Sequence, residues 1–281
     1  MPTLTLPDTH LFYTEHGQGL PCLVMHGGLG LDHTYLKPWL DALGDRLHLI
    51  YYDHRGNGRS GRPPLTTLTF EQFCDDAEAL RKHLDIAEFA ILGHSYGGFI
   101  AMEYALRYPE RVTDLILMNT GASLKFGSPE MVARFEHKGM TPEMWIAFNG
   151  PFDNDVALEC YFNIVGPIYW HTHNPDLIQR QTRDVIFDVA TCMHSLALAA
   201  EWNITPRLQQ IRARALIIGG DYDVIYPVCE TQVLHDNLPD SELMIFENSG
   251  HYPYAEEHNA FLTCVKSWLN KSRFLATPLS N

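Results

Sequence analysis

The chain has 281 residues, of which 46% are hydrophobic and 19% are charged, a composition that excludes a disordered or fibrous protein. The 34 acidic residues outnumber the 20 Lys and Arg residues and give a net charge of −14, so we expect neither nucleic acid nor membrane as a partner. The first 17 residues lack the basic and apolar stretches of a secretory signal, which predicts a cytoplasmic location.

Apolar runs of strand length alternate with helix-periodic segments along most of the chain. The first part predicts strands at 21–26, 47–52, 89–92 and 112–118, and helices at 70–84 and 96–108. The last part predicts strands at 215–218 and 242–246, and helices at 228–237 and 255–270. This alternation is typical of an α/β protein with a mostly parallel central sheet and helices on both faces.

The segment from about 121 to 205 has a different pattern, because Gly and Pro interrupt its helical stretches and aromatic residues crowd it. We predict one domain over 1–281, with its core in about 1–120 and 206–281 and an inserted helical cap in about 121–205. The alternative is that these helices only thicken the core. Likewise, the aromatic residues of the cap either line a pocket or pack the cap itself.

The sequence Gly93-His94-Ser95-Tyr96-Gly97 matches the GxSxG pattern of a nucleophile elbow. It directly follows a predicted strand and opens a predicted helix, as an elbow requires. The turn is strained, and side chains at 93 and 97 would strike the adjacent strand or helix. We therefore predict Ser95 as a nucleophile whose hydroxyl lies above the sheet at a helix N-terminus.

A serine hydroxyl needs a neutral imidazole to take its proton, and that imidazole needs an acid to orient it. In α/β proteins with such a nucleophile elbow, the three residues follow one another along the chain in the order Ser, acid, His. The loop after strand 215–218 offers Asp221 and Asp223, of which we prefer Asp223. Some such folds place the acid one strand earlier, but that strand ends here in Asn119, which cannot carry the charge.

The predicted general base is His251, the only one of the 15 histidines placed in the loop after strand 242–246. Because the imidazole must be neutral to accept a proton, we expect activity to fall below about pH 6–7. The developing oxyanion needs fixed donors, and we assign them to the backbone N–H groups of Gly28 and Tyr96. Glycines in the 26–30 loop allow the backbone to approach the substrate closely.

These motifs, in this order, resemble those of the α/β-hydrolase superfamily over nearly the whole chain, and most closely those of proline iminopeptidases and related serine hydrolases. The matching stretches are HGGLG at 26–30, DHRGNGRSGRP at 53–63, GHSYGGFIAMEYALRYPERV at 93–112, GGDYDVIYP at 219–227 and SGHYPYAEE at 249–257. The resemblance implies the α/β-hydrolase fold, a catalytic triad and a structural role for the 53–63 loop, braced by Asp53 and Arg55.

The sequence departs from the aminopeptidase pattern at two positions. Leu29 replaces the usual proline of HGGPG, and Val224 stands where an acid commonly follows the catalytic Asp to hold the substrate ammonium. Other acids, Glu201, Glu256 or Asp221, are the remaining candidates for that role. The predicted substrate pocket comprises Leu29, Trp145, Phe148, Tyr169, Val224 and Tyr252.

We rank a small or medium-sized carboxylic ester, lactone or amide first as substrate, and release of N-terminal proline from a short peptide second. Further alternatives are hydrolysis of a carbon–carbon bond and a ligand-binding protein without catalysis. No metal or organic cofactor is needed. The glycine pattern at 56–61 is rejected as a dinucleotide site because prolines at 63 and 64 prevent a helix there. Neither the scattered cysteines nor His171 and His173 have metal-ligand spacing.

Overall fold

The structure is a computed structural model that describes residues 2–28 and 30–275, with side chains to residue 271. Within these residues eight strands form one sheet in the order β1-β2-β4-β3-β5-β6-β7-β8. The strands are β1 Thr3–Thr5, β2 His10–His16, β3 Leu20–Met25, β4 Leu47–Tyr52, β5 Phe89–His94, β6 Val112–Met118, β7 Arg214–Gly220 and β8 Ser241–Phe246. All neighbours from β4 to β8 are parallel, which confirms the predicted mostly parallel sheet, whereas β1 and β2 form an unpredicted antiparallel edge.

The helices lie between the strands and in one long insertion. The helices of the flanking layers are α1 Lys37–Leu40, α2 Phe70–His83 and α3 Tyr96–Arg107, followed after the insertion by α9 Val228–Asn237, α10 Pro253–Glu256 and α11 His258–Leu275. Between β6 and β7 lie α4 Pro129–His137, α5 Pro142–Asn149, α6 Asp155–Ile164, α7 Pro175–Thr182 and α8 Val189–Ala200. No helix in the described part of the chain combines the length and apolar character needed to cross a membrane.

The parallel strands are apolar on both faces because helices cover both sides of the sheet. Ile91 and Leu117 belong to one buried cluster, which also contains residues of α2 and α3. The neighbouring residues Leu92 and Ile116 belong to the cluster on the other face, together with residues of α11. Successive strand residues thus alternate between two cores, as the period of two requires.

This topology brings several loops to one edge of the sheet, since parallel strands all end on the same side. The glycine loop follows β3, Ser95 follows β5, Asn119 follows β6, Asp223 follows β7 and His251 follows β8. The fold therefore collects residues more than 200 positions apart in the sequence around a single area.

Candidate active site

Ser95 lies on a strained turn between β5 and α3, with φ of 54° and ψ of −122°. Its backbone N–H donates to the carbonyl of Met118 at 3.0 Å, which ties the turn to β6. A Cβ atom on Gly97 would lie 2.0 Å from the carbonyl oxygen of Met25, and one on Gly93 would lie 2.7 Å from that of Gly97. The two glycines of the motif are thus required by close packing of α3 against β3 and β5.

Asp223 and His251 form a buried hydrogen-bonded pair, in which Nδ1 of the imidazole lies 2.8 Å from Oδ2 of the carboxylate. The same Oδ2 accepts from the Nδ2 amide of Asn119 at 2.9 Å. Oδ1 accepts from the backbone N–H groups of Ile225 at 2.8 Å and Tyr226 at 3.1 Å. Four donors therefore fix the carboxylate, and an ionised carboxylate satisfies all four as the acceptor.

The imidazole of His251 and the hydroxyl-bearing Ser95 line the same cavity. The backbone N–H of His251 donates to the carbonyl of Tyr169 at 2.6 Å, and the ring stacks near that of Tyr226 with centroids 6.1 Å apart. Asp223 lies behind the imidazole and is 2% exposed. The structure thus brings the three sequence-predicted residues to one edge of the sheet, with Asp223 hydrogen-bonded to His251 and with His251 and Ser95 lining one cavity.

The glycine loop after β3 faces the same cavity through Gly28. The N–H of Gly27 donates to the hydroxyl of Tyr35 at 2.7 Å, and the N–H of Gly30 donates to Oδ1 of Asn57 at 2.7 Å. Tyr96, the other predicted donor, is the first residue of α3, where backbone N–H groups have no partner inside the helix. Both predicted oxyanion donors thus belong to residues that line the cavity.

A polar chain connects these loops beneath the cavity. The Tyr35 hydroxyl accepts from Gly27 and lies 2.7 Å from Nδ1 of His94, whose Nε2 lies 3.2 Å from the carbonyl oxygen of His251. Only one tautomer satisfies the chain: Nε2–H donates to the carbonyl, and Nδ1 accepts from the tyrosine. Burial holds the pKa of His94 well below its ordinary value, so this imidazole stays neutral beside His251.

Glu256 connects the His251 loop to the insertion. Its Oε1 accepts from the N–H of Gly250 at 2.7 Å, and its Oε2 accepts from those of His171 at 2.6 Å and Thr172 at 3.4 Å. Lys138 lies nearby and donates to the carbonyl of His171 at 3.3 Å. Burial outweighs these bonds and raises the pKa of the Glu256 carboxyl to about 7.

The cavity has a volume of about 160 Å³. None of its described lining residues is Asp, Glu, Lys or Arg. Aromatic and aliphatic side chains from the β6–β7 insertion form much of its wall, namely Leu124, Phe126, Phe148, Phe152, Leu158, Phe162, Val185, Met193 and Leu196.

The structure places two of the predicted pocket residues outside the lining of this cavity. Phe148, Tyr169 and Tyr252 line the cavity. Trp145 lies outside the lining and packs against the ring of Phe148, with centroids 5.5 Å apart. Val224 is also outside the lining, because its side chain is buried in one of the two cores and its carbonyl accepts from Arg134 at 3.0 Å. The sixth predicted residue, Leu29, lies outside the described residues.

Asp32, His33 and Asp53 form a buried cluster with ligand atoms within 4.8 Å of one another, the spacing of a metal site. Their oxygens already have donors. Asp53 accepts from the N–H and Nδ1 of His33 and from the N–H of Arg59, whose guanidinium pairs with Asp32 at 3.0 Å. These contacts therefore fit a structural role in holding the 53–63 loop, which is the role predicted for Asp53, better than they fit a cation site.

Three residues of the site were not predicted from the sequence: Tyr35, His94 and Asn119. His94 lies inside the GxSxG motif, so a polar residue next to the nucleophile was a signal available in the sequence. Asn119 was considered only as an alternative acid, although its amide is suited to hold another residue's carboxylate. Tyr35 belongs to no recognisable motif. Its role depends on where the short 3₁₀ helix of residues 33–35 contacts the end of β5.

Comparisons with known proteins agree with the fold. A family model described as "alpha/beta hydrolase fold" matches residues 21–154. A proline iminopeptidase from Elizabethkingia meningoseptica is 32% identical over 226 residues, which are 73% of this chain and 74% of the relative. A proline iminopeptidase from Saccharolobus solfataricus is 28% identical over 272 residues, covering 92% of this chain and 87% of the relative.

A solved structure extends the similarity to another group of hydrolases. The malate-bound thermophilic esterase from Thermogutta terrifontis matches with a TM-score of 0.74 and 26% identity, over 96% of each chain. Relatives of this chain thus include both aminopeptidases and esterases on one fold, so the fold alone does not select the substrate.

Proposed function

The chain belongs to the α/β-hydrolase family, and from this premise we propose that it is a serine hydrolase of neutral, apolar carboxylic esters or lactones. The relatives support a hydrolase, and the geometry around Ser95 supports an acyl-enzyme mechanism. The observation that selects the substrate is a cavity whose described lining contains no charged side chain of Asp, Glu, Lys or Arg.

In the first step, the Oγ of Ser95 attacks the ester carbonyl while Nε2 of His251 takes the hydroxyl proton. The bond from Nδ1 to Asp223, 2.8 Å long, keeps the imidazole in the required tautomer and stabilises its charged form. The N–H groups of Gly28 and Tyr96 stabilise the oxyanion, and loss of such a donor costs about 3 kcal/mol of transition-state stabilisation.

In the second step, the tetrahedral intermediate collapses, and the alcohol leaves with the proton from His251. An ester bond now joins the acyl group to Ser95. A water molecule, deprotonated by the same imidazole, attacks this bond, and the carboxylic acid is released as Ser95 regains its proton. The neutral state of His94 helps here, because a second imidazolium beside His251 would oppose its protonation.

We propose that residues from about 121 to 205 act as a cap over the sheet edge. Helices α5 to α8 contribute side chains to the cavity wall, whereas the triad residues come from loops of the sheet. Phe126 and Met193 are both lining residues and are 41% and 45% exposed, so they mark an apolar entrance. An apolar entrance and wall favour a substrate whose acyl or alcohol group is apolar.

The second candidate is release of N-terminal proline, which the names of the two sequence relatives favour. That reaction places an ammonium group in the site, and a buried cation needs an acidic partner. Of the acids considered for this role, Asp221, Glu201 and Glu256 are all outside the cavity lining. Neutral esters are therefore ranked first.

The test compares p-nitrophenyl butyrate and hexanoate with prolyl-p-nitroanilide, using the wild type, Ser95→Ala and the exposed control Ser267→Ala. We expect ester hydrolysis by the wild type and by Ser267→Ala, with kcat at least about a thousand-fold lower in Ser95→Ala. Strong prolyl cleavage with negligible ester hydrolysis would reverse the ranking. Ester hydrolysis that survives in Ser95→Ala would refute the serine mechanism, and binding without turnover would favour a ligand-binding protein.

A further inference from the structure

Gly30, at the end of the glycine loop, is held by two different segments of the chain. Its N–H donates to Oδ1 of Asn57 at 2.7 Å, and its carbonyl accepts from the N–H of Asp188 at 2.9 Å. Its φ is 94°, and a Cβ atom there would lie 2.5 Å from the Cβ atom of Cys192 in α8. The end of the glycine loop is therefore fixed between the loop of Asn57 and the insertion.

The bonds within this loop leave one N–H available to a substrate. The N–H of Gly27 donates to the hydroxyl of Tyr35, and that of Leu31 donates to the carbonyl of Gly28 at 3.1 Å. Of the three described glycines of the loop, only Gly28 has an N–H group without a hydrogen-bond partner among the described residues. This is the N–H that we assign to the oxyanion, and the turn closed by Leu31 joins it to Gly30.

Asn57 is fully buried, and bonds within its own loop fix its position. Its Nδ2 donates to the carbonyl of Arg55 at 2.9 Å. Its backbone N–H donates to the carbonyl of His54 at 2.9 Å, and its carbonyl accepts from the N–H of Ser60 at 3.0 Å. Because a carbonyl can only accept, the Nδ2 end of the amide must face Arg55, and the Oδ1 end is left to accept from Gly30.

The 53–63 loop also holds the start of α8. Nε of Arg62 donates to Oδ2 of Asp188 at 2.7 Å, and the hydroxyl of Thr191 donates to the carbonyl of Gly56 at 2.8 Å. Oδ1 of Asp188 accepts from the N–H of Thr191 at 2.8 Å, which caps the helix. Both partners of the glycine loop are thus held by one segment of the core.

We propose that Asn57 is a positioning residue of the oxyanion hole, which acts through Gly30 to hold the N–H of Gly28 toward the substrate. Donors in an oxyanion hole stabilise the transition state because they are fixed before the charge develops. A side chain that fixes their loop therefore increases the rate, although Asn57 itself does not line the cavity. This inference rests on the proposed ester hydrolysis and gives the 53–63 loop a role in the reaction.

The experiment compares p-nitrophenyl butyrate with its thiono analogue, in which sulfur replaces the carbonyl oxygen. Sulfur is a weak hydrogen-bond acceptor, so the thiono ester gains little from the oxyanion hole while it still needs Ser95 and His251. Release of nitrophenolate gives kcat/KM for both substrates, each divided by its alkaline hydrolysis rate. In the wild type, the oxo ester should be preferred by at least about a hundred-fold.

Two variants, Asn57→Ala and Asn57→Ser, remove the acceptor of Gly30, since the serine side chain ends short of the Oδ1 position. In each, kcat/KM should fall about 10- to 100-fold for the oxo ester and less than about threefold for the thiono ester. The matched control is Ser60→Ala in the same loop. Oγ of Ser60 accepts from the N–H of Phe12 at 2.9 Å and donates to the carbonyl of Asp53 at 2.6 Å, so this variant loses two hydrogen bonds and should keep the wild-type preference.

The outcomes separate the positioning role from the reaction. If the wild type hydrolyses the oxo ester through Ser95 but the Asn57 variants lose both substrates equally, or lose neither, the positioning role is refuted and the serine hydrolase remains. If the wild type hydrolyses neither substrate, the proposed function fails and this inference fails with it. Thermal melting shows which variants are folded. Unfolding of both Asn57 variants but not of Ser60→Ala would also refute the inference, because the control loses as many hydrogen bonds.

Discussion

At the scale of single residues, Asn119 determines the direction of the Asp223 carboxylate. Its amide donates to Oδ2 of Asp223 at 2.9 Å and to the carbonyl of Gly250 at 3.1 Å, so it connects the acid with the loop of His251. The backbone of Asn119 has φ of 46°, a left-handed conformation that asparagine and glycine tolerate better than other residues. The residue therefore combines a special backbone conformation with a needed donor.

We predict that Asn119→Gly lowers kcat for a p-nitrophenyl ester about 10- to 100-fold with little change in KM. Glycine accepts the positive φ but cannot donate to Asp223, and a hydrogen bond to a charged group contributes about 1.5–3 kcal/mol. Asn119→Ala should lose activity similarly and also about 1 kcal/mol of stability, because alanine is strained at this φ. Full kcat in a correctly folded Asn119→Gly would show that the other three donors suffice.

Motifs explain which site residues the sequence could predict. Ser95 is surrounded by glycines that close packing requires, and His251 and Asp223 follow strands that their apolar composition makes recognisable. Tyr35 and Trp145 could not be placed in this way. Which face of a loop or cap helix meets the cavity depends on contacts between distant segments, and sequence periodicity does not report those contacts.

At the scale of elements, the buried parallel strands were predicted within two residues at each end, because helices cover both faces and the runs are continuously apolar. The edge strands β1 and β2 were missed, since β1 has only three residues and the apolar residues of β2 are flanked by polar ones. The predicted helix at 255–270 is two helices, α10 and α11, separated at Glu257, where φ is −118° and ψ is 47°.

The insertion shows why its helices were harder to predict. Ser128, Thr141 and Asn174 each accept a backbone N–H at the start of a helix, and each is followed by proline at the first helical position. The prolines that seemed to interrupt the helical pattern in fact begin helices, where a missing N–H is harmless. Capping residues with a following proline were therefore the informative signal, and periodicity in such short helices was too weak to reveal it.

The contact between the His251 loop and the insertion leads to a pH prediction. Burial raises the pKa of Glu256 to about 7 from 4.5, so between these values the folded protein binds a proton that the unfolded chain has released. This contribution makes the free energy of unfolding decrease as pH rises from about 4.5 through 7. In Glu256→Gln, which does not titrate, it should be absent.

Urea unfolding at pH 5 and at pH 8 measures the effect. Between the two pH values, the wild type should lose on the order of 2 kcal/mol relative to Glu256→Gln. The control Glu247→Gln changes an exposed carboxylate and should follow the wild type. Equal pH dependence in the wild type and Glu256→Gln would mean that the three backbone donors offset burial and keep the carboxyl ionised.

At the scale of the whole molecule, two electrostatic features act on the same substrates. The chain has a net charge of −14, which repels anions at a distance, and the cavity has no Lys or Arg among its described lining residues. The first effect is long-range and is screened by salt within about 10 Å at 0.1 M. The second is the loss of hydration of a charged group in an apolar space, which salt does not relieve.

We therefore predict different salt responses for ethyl pentanoate and the anion of monoethyl glutarate. At 0.05 M NaCl, kcat/KM for the anionic ester should be at least about a hundred-fold lower, because entry into the cavity strips its carboxylate of water without supplying a cation. Raising NaCl to 0.5 M should recover only a few-fold of this difference by screening the surface, and should leave the neutral ester unchanged. Comparable turnover of both esters at low salt would contradict this reasoning, since it would require a cationic side chain that reaches the bound substrate.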